Sequence, residues 1–403
     1  MNRNDNIDFG DGSETYDIPL GKRPHISFLL GSGFSAPMGY PTGYSMNDKI
    51  FNFEENNRQI GFYNWEIVDR TKGCFCAYDQ SQIVYNSCIN LIKEFKKDYE
   101  TFDYEEFYSF LTPENLATYD DIIKDAIGNT DFTSGDVISN LRRIYSQMIR
   151  YCLKDKNGCQ YYKEESHVGK LDNEYDNILK YISHLSNEYI VDVHTLNHDV
   201  LFESFNYTDY LCDKLSDGFS ELGSSYYGKC QNDGFACTVR LEQFKKENYN
   251  DKPVRLYKLH GSIDYVDLKG DLDELKLVKR KVCIKPDSVM EDNGSPTYKT
   301  YPFHDFCDFL TGTEKDYTNE PYKSFIEMFE KNLKCAEKLI IIGYGFKDKN
   351  INRIIMNQYN YQKIPIHIID RNNMVKYGLA LNAQFHPKGI EETLFDELFP
   401  KEL

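Results

Sequence analysis

At 403 residues the chain can bury a substantial core without disulfide or metal staples, and its length allows one elaborated domain or two ordinary ones. Its 47 Lys and Arg against 64 Asp and Glu leave a formal charge of -17, which excludes generic attraction to phosphate backbones, so no direct nucleic-acid binding is expected. The start, Met1-Asn2-Arg3-Asn4, carries no apolar run, and the most hydrophobic stretch, 339–346, is too short to span a bilayer; a cytoplasmic protein with no membrane partner is the expectation.

In chain order, residues 1–23 are polar, acidic and aperiodic, which predicts a flexible N-terminal arm before a domain over 24–403. The fold starts with an apolar strand, His25 to Leu30, running into Gly31-Ser32-Gly33. A helical insertion over about 45–185 follows. Inside it Val84, Cys88, Leu91, Ile92 and Phe95 make one apolar stripe at helical spacing, and Val137, Leu141, Ile144, Tyr145, Met148 and Cys152 make another. Ser134 or Asp136 supplies the start of the second helix. Tyr189 to His194 reads as a strand and Asp199 to Phe205 as a short helix. Residues 206–252 lack steady periodicity and read as an irregular insertion or lid. After the strand Val254 to Lys258, a second irregular insertion covers about 267–320, where Pro286, Pro296 and Pro302 break any long element. A helix over 325–335 then leads to a βαβ unit, with strands 338–342 and 365–369 around a helix at 350–358. The fold class is α/β, a Rossmann-like and mostly parallel sheet with a large helical insertion.

Of eleven cysteines, Cys88, Cys152 and Cys335 fall inside apolar patterns and read as buried thiols. Cys74 and Cys76 are one residue apart with no second pair at ligand spacing, so no zinc module and no metal are expected. The 32 Tyr and 26 Phe point to a well-packed core and to subunit interfaces, hence to a homo-oligomer.

Polar residues gather where the predicted strands end, which is where open α/β sheets place their chemistry. Gly31 and Gly33 permit close backbone approach to a phosphate, and Ser35 adds a hydroxyl. Asn197 and Asp199 follow one strand on a single turn, and for Asp199 a helix cap is an equal reading. His260, beside Gly261, presents an imidazole that exchanges protons near neutral pH. Asp348 and Asn352 stand at helix-start spacing, where they cap that helix; Asp348 is also counted among the nucleotide-binding candidates. Asp370 closes the last strand, where an acid takes the hydroxyls of an adenosine ribose, with Arg371 and Asn372 beside it to flank the adenine. His194 and His198 are read as structural or supporting.

These residues carry a family resemblance. Gly31-Ser32-Gly33-Phe34-Ser35 with Gly39-Tyr40-Pro41-Thr42 resembles the Gly-Ala-Gly-x-Ser and Gly-Ile-Pro of sirtuins, and Thr195-Leu196-Asn197-His198-Asp199 resembles their Thr-Gln-Asn-x-Asp. Leu259-His260-Gly261-Ser262 and Gly343-Tyr344-Gly345-Phe346 resemble the Leu-His-Gly-Ser and Gly-Tyr-Ser-Phe of sirtuin-like proteins in bacterial anti-phage defence. The resemblance spans 25–44, 191–203, 254–266 and 338–371. It implies a sheet of sirtuin type and NAD+ as substrate, with Asn197 orienting the nicotinamide ribose and its attacking water and His260 as acid/base. The nucleotide would be held by Gly31, Ser32, Gly33, Ser35, Pro41, Thr42, Asp199, Gly343, Tyr344, Gly345, Asp348 and Asp370, with Asp199 at the nicotinamide carboxamide. Three departures matter. Gly43-Tyr44-Ser45 replaces the family's Phe-Arg, Gly345 replaces a Ser, and only Cys283 and Cys307 stand where sirtuins carry paired Cys-x-x-Cys motifs. The last argues against lysine deacylation and leaves water as the acceptor.

The implied activity is NAD+ hydrolysis to nicotinamide and ADP-ribose, depleting NAD+ in defence on activation by a partner. About thirty residues follow Asp370, too few for an appended sensor domain, so regulation is expected from another polypeptide. The resemblance in size is to the subunit that works with a HerA-type hexameric ATPase. A non-catalytic NAD+ or ADP-ribose sensing subunit and an ADP-ribosyltransferase are the alternatives.

Overall fold

The computed structural model describes residues 18–72, 75–99, 101–158, 174–219, 226–232, 235–267, 277–281, 289–290, 296–297, 310–312, 315–371 and 382–399. Its centre is a seven-stranded sheet made of β1 (His25–Leu30), β2 (Ile190–Thr195), β3 (Leu215–Ser216), β4 (Val254–Lys258), β5 (Ala336–Ile342), β6 (Ile366–Ile369) and β7 (Ala383–His386). The spatial order is β7-β6-β5-β1-β2-β4-β3, and every pair is parallel. The Rossmann-like parallel sheet expected from the sequence is therefore the observed architecture.

Largely apolar runs form the inner strands because both faces of a parallel sheet are covered. Alternate side chains of β1 enter opposite cores: Ile26, Phe28 and Leu30 pack with Tyr181 and Ile182 of α4 (Asp176–Leu185), whereas Leu29 packs with Phe325 and Phe329 of α5 (Tyr322–Cys335). Ile340 and Ile342 of β5 join the first core, and Leu339 and Ile341 the second. In register, Leu30 lies between Thr195 and Ile342, so the motif-bearing loops leave the sheet at one level.

The chain between β1 and β2 builds a helical layer around a third core. Its main helices are α2 (Gln80–Asp98) and α3 (Ser134–Cys152), and both apolar stripes read from the sequence are buried there. Neither Ser134 nor Asp136 is the N-cap of α3. Thr133 is, its hydroxyl accepting from the Asp136 amide while Asp136 answers through the Thr133 amide, a reciprocal capping box. The layer also holds a hairpin, Ile60–Tyr63 with Glu66–Asp69, turned by Asn64 and Trp65 at positive φ. A two-residue turn of this kind usually announces itself by glycine, which is absent here.

Other departures concern the insertions. The segments read as irregular contain a four-stranded antiparallel sheet of Tyr226–Asn232, Phe235–Gln243, Leu277–Lys281 and Tyr265–Asp267. Edge strands β3 and β7 are too short for a periodic signal. Cys88 and Cys152 are buried as expected, but Cys335, ending α5, is exposed. Of the N-terminal arm, residues 1–17 lie outside the described residues; the Arg23 guanidinium donates to the Ser186 carbonyl at 2.7 Å and ties the remainder to the fold. No helix among the described residues is long and apolar enough to cross a membrane.

Candidate functional site

Strand β1 lies between β5 and β2, where the strand order reverses, and a crevice forms at the carboxyl ends of strands at such a point. Here it is a cavity of about 580 Å3. Gly31, Ser32 and Gly33 line it from the turn after β1, Pro41 and Thr42 from the next loop, and Asn197 and Asp199 from the turn after β2. His260 enters after β4, Gly343, Tyr344, Gly345 and Asp348 after β5, and Asp370 after β6. Apart from Ser35, and from Asn372, which lies outside the described residues, every sequence-predicted site residue thus lines one space.

The glycines are required for a different reason from the one expected. The Gly31 amide donates to the Ile342 carbonyl at 2.9 Å and the Gly33 amide to the Gly343 carbonyl at 3.0 Å, so neither is open to a phosphate. Instead, two loops lie backbone against backbone. A Cβ on Gly31 would sit 2.5 Å from the Gly343 oxygen, and one on Gly343, whose φ is +61, would sit 2.5 Å from Gly33. Gly345 has open space where a side chain would go. The turn continues into a single helical turn, α1 (Ser32–Ser35).

Beneath this turn the Asn197 amide group donates to the Gly31 carbonyl at 2.9 Å and to the Ser35 hydroxyl at 3.0 Å. Ser35 also bonds the Asp199 carboxylate and is fully buried. Its hydroxyl therefore positions Asn197 and Asp199, a correction to its expected phosphate contact. Asp199, on the cavity wall, accepts from the Leu201 amide at 3.0 Å, but the N-cap of the helical turn Leu201–Ser204 is Val200, one residue later than the capping reading placed it, and burial raises the Asp199 carboxyl pKa. The buried Lys258 ammonium braces this loop through the Asp199 carbonyl and, at 3.1 Å, Glu203. Thr42 caps the helix Gly43–Phe51 at the mouth, accepting from the Ser45 amide at 3.5 Å.

His260 is 4 % exposed, and its Nε2 lies 3.2 Å from Asp348 Oδ2 without the alignment of a full hydrogen bond. Burial and the Lys315 ammonium push its imidazole down to about 4 against the pull of Asp348, so it is neutral near pH 7. Burial opposes ionisation of Asp348, but His260, Lys315 and the Ile351 amide outweigh it and hold the carboxyl well below the usual range. Asp348 is also the N-cap of α6 (Lys349–Gln358), accepting from the Asn350 and Ile351 amides. Asn352 does not cap; it donates to the Phe346 carbonyl at 2.8 Å and accepts from Tyr344 at 3.0 Å. His198 is a wall residue whose imidazole burial holds well below its ordinary pKa. His194 lies outside the cavity, between Tyr257 and Phe329 at 4.8 and 4.6 Å, with neither nitrogen hydrogen-bonded. That is a core residue, as read.

At the other end Arg371 lines the cavity, its guanidinium bound to Glu391 and, at 3.1 Å, to Glu392. Asn372, Cys74, Cys283 and Cys307 lie outside the described residues. Among the described residues no group of three His, Cys, Asp or Glu could hold a metal ion. The sequence reading missed Lys315, Glu105, Asp103 and Lys347. Lys315 belongs to an aperiodic insertion, and the two acids look like ordinary first-turn or N-cap residues of the helix Tyr104–Phe110.

No family model matches the chain, and no curated protein matches it. Among solved structures, a Sir2 homologue in complex with NAD is similar at 10% identity over 95% of this chain and 91% of that one, with a TM-score of 0.35. A Sir2 homologue mutant with 2'-O-acetyl ADP ribose is similar at 12% identity, covering 94% and 92%, with a TM-score of 0.36. A Sir2 complex with an inhibitor, 2'-O-acetyl-ADP-ribose and a deacetylated peptide is similar at 10% identity, covering 95% of each chain, with a TM-score of 0.34. Scores this low carry no argument, and the functional reading rests on this chain's own residues.

Proposed function

We propose that this protein is an NAD+ hydrolase that cleaves the nicotinamide N-glycosidic bond with water as acceptor, releasing nicotinamide and ADP-ribose. The observation that carries the reading is a neutral, buried imidazole, His260, lining the same cavity as an Asn197 amide held by two hydrogen bonds at a sheet switch point. Water adds to the ribose carbon as the bond to nicotinamide breaks, and one proton is released. A base that is unprotonated at neutral pH is suited to take it. Asn197, fixed from behind, suits the orientation of ribose and water, and its rigidity avoids reorganisation during the step. Asp199 serves the leaving nicotinamide and Asp370 the adenosine ribose.

The proposal extends to a homo-oligomer that depletes NAD+ in anti-phage defence when a HerA-type hexameric ATPase activates it. Motif resemblance supports that part. The test is purified protein incubated with NAD+, alone and with such an ATPase, followed by chromatography for nicotinamide and ADP-ribose. Turnover should fall by roughly a hundredfold or more in His260→Ala and Asn197→Ala while NAD+ binding persists. Parental turnover in a folded His260→Ala protein would overturn the mechanism. ADP-ribose recovered on a macromolecule would make the protein a transferase, and tight binding without turnover a sensor.

A further inference from the structure

We propose that Lys315 and Asp348 set the protonation state and orientation of His260, and that Glu105 anchors Lys315 from the helical layer. The proposal rests on the reading of His260 as the base. One carboxylate oxygen, Asp348 Oδ2, lies 3.2 Å from His260 Nε2 and 3.3 Å from Lys315 Nζ, so it sits between an imidazole and an ammonium. The other oxygen accepts two amides at the start of α6, at 2.8 and 3.0 Å, which fixes the carboxylate plane. The Lys315 side chain is only 3 % exposed, and its ammonium is held by the Gly312 carbonyl at 2.9 Å and by Glu105 at 3.6 Å. Its place is therefore set from three sides.

The charges act on His260 in opposite directions. Alone, a buried carboxylate at this distance would favour imidazolium, and a base already carrying its proton cannot accept another. Burial first, and the Lys315 ammonium with it, outweigh that pull while the carboxylate stays in place to orient the ring. The carboxylate favours the tautomer with its proton on Nε2, which leaves the lone pair on Nδ1. The other groups facing His260 supply no charge: the His198 ring, 6.3 Å away, is held neutral by burial, and Tyr317, 6.5 Å away, has its hydroxyl pushed far up by burial. Asp348 and Lys315 are thus positioning residues, acting through His260.

The test uses the full chain with nitrogen-labelled histidine, following His260 by NMR from pH 3.5 to 8 beside the pH profile of NAD+ turnover. In the parent, His260 should charge only in the acid range, near 4. K315M should raise its midpoint by about a unit or more, since a repelling cation is gone and Asp348 is left unopposed. The acid limb of turnover should move with it, kcat falling on that limb and not near pH 7 while KM changes little, and K315R should restore the parental limb. D348N should move the midpoint down. K315Q replaces K315M if the latter does not fold. An unmoved midpoint in a folded K315M or K315Q protein, or an upward shift in D348N, overturns the proposal. If the parent shows no turnover with or without the ATPase, the hydrolase reading fails, while the titration of His260 still decides this one.

Discussion

The helical layer and the carboxyl edge of the sheet are both well packed, yet they are made in different ways. The layer follows local rules: α2 and α3 present apolar stripes at helical spacing, a capping box starts α3, and Phe95 meets Phe107 and Phe110 with ring centroids 5.2 and 5.0 Å apart. Between residues 43 and 152 it contains no histidine. The sheet edge breaks local rules. It buries His194, His198, His260, Lys258 and Asp199 and presses glycine backbones together. Polar burial and close backbone contact are destabilising unless every partner is in place, so that edge, and not the helical layer, is where substitution and pH should act most strongly.

The largest effect should come from acid. His260 is pushed down to about 4 and His194 to about 3, mainly by burial, and His198 also lies below its ordinary value near 6.5. A histidine whose folded pKa is lowered binds fewer protons than in the unfolded chain. Stability from this source is complete above pH 6.5 and is lost as the pH falls toward 4 and then 3, by about 3–5 kcal/mol for each of His194 and His260. Denaturant titrations across that range should show it, and hydrogen exchange should locate the first loss in β2 and β4. First loss in α2 and α3 would break the comparison.

Next in size is Gly343→Ala. The new Cβ would meet Gly33 at 2.5 Å with φ held at +61, so roughly 2–4 kcal/mol of stability should go. Thermal unfolding checks this. In the helical layer, Thr133→Ala removes one capping hydroxyl and should cost about 1 kcal/mol with no change in NAD+ turnover. Gly345→Ala sharpens the contrast most finely: its side chain would enter open space, and stability should change by no more than about 0.5 kcal/mol. A large loss there would show that the loop tolerates no addition anywhere.

Strands β1, β2, β4, β5 and β6 and helices α2, α3, α5 and α6 were legible because each is a run of buried residues at a fixed period. The glycine turn, Asn197, His260 and Asp370 were legible as polar residues at strand ends, and a common cavity follows once those strands lie parallel. The Asn64-Trp65 hairpin gave no clear signal, since no glycine marks its turn, whereas the first hairpin of the insertion sheet was marked in the sequence by Asp233-Gly234 and by Phe235, Cys237, Val239 and Leu241 at alternate positions, and the reading of 206–252 as irregular missed it.

Period, turn chemistry and motif order depend on neighbours along the chain, and the sequence by itself therefore determined the α/β class, the helical stripes and the loops that carry polar groups. Charge state and contact depend on neighbours in space. That Gly31 and Gly343 must be glycines for each other, that Ser35 serves Asn197, and that Lys315 and Asp348 from separate segments meet beside His260 were decided only by the tertiary structure. The physical reason is that the low dielectric of a buried site makes those few ångströms count, and no spacing in the sequence encodes them.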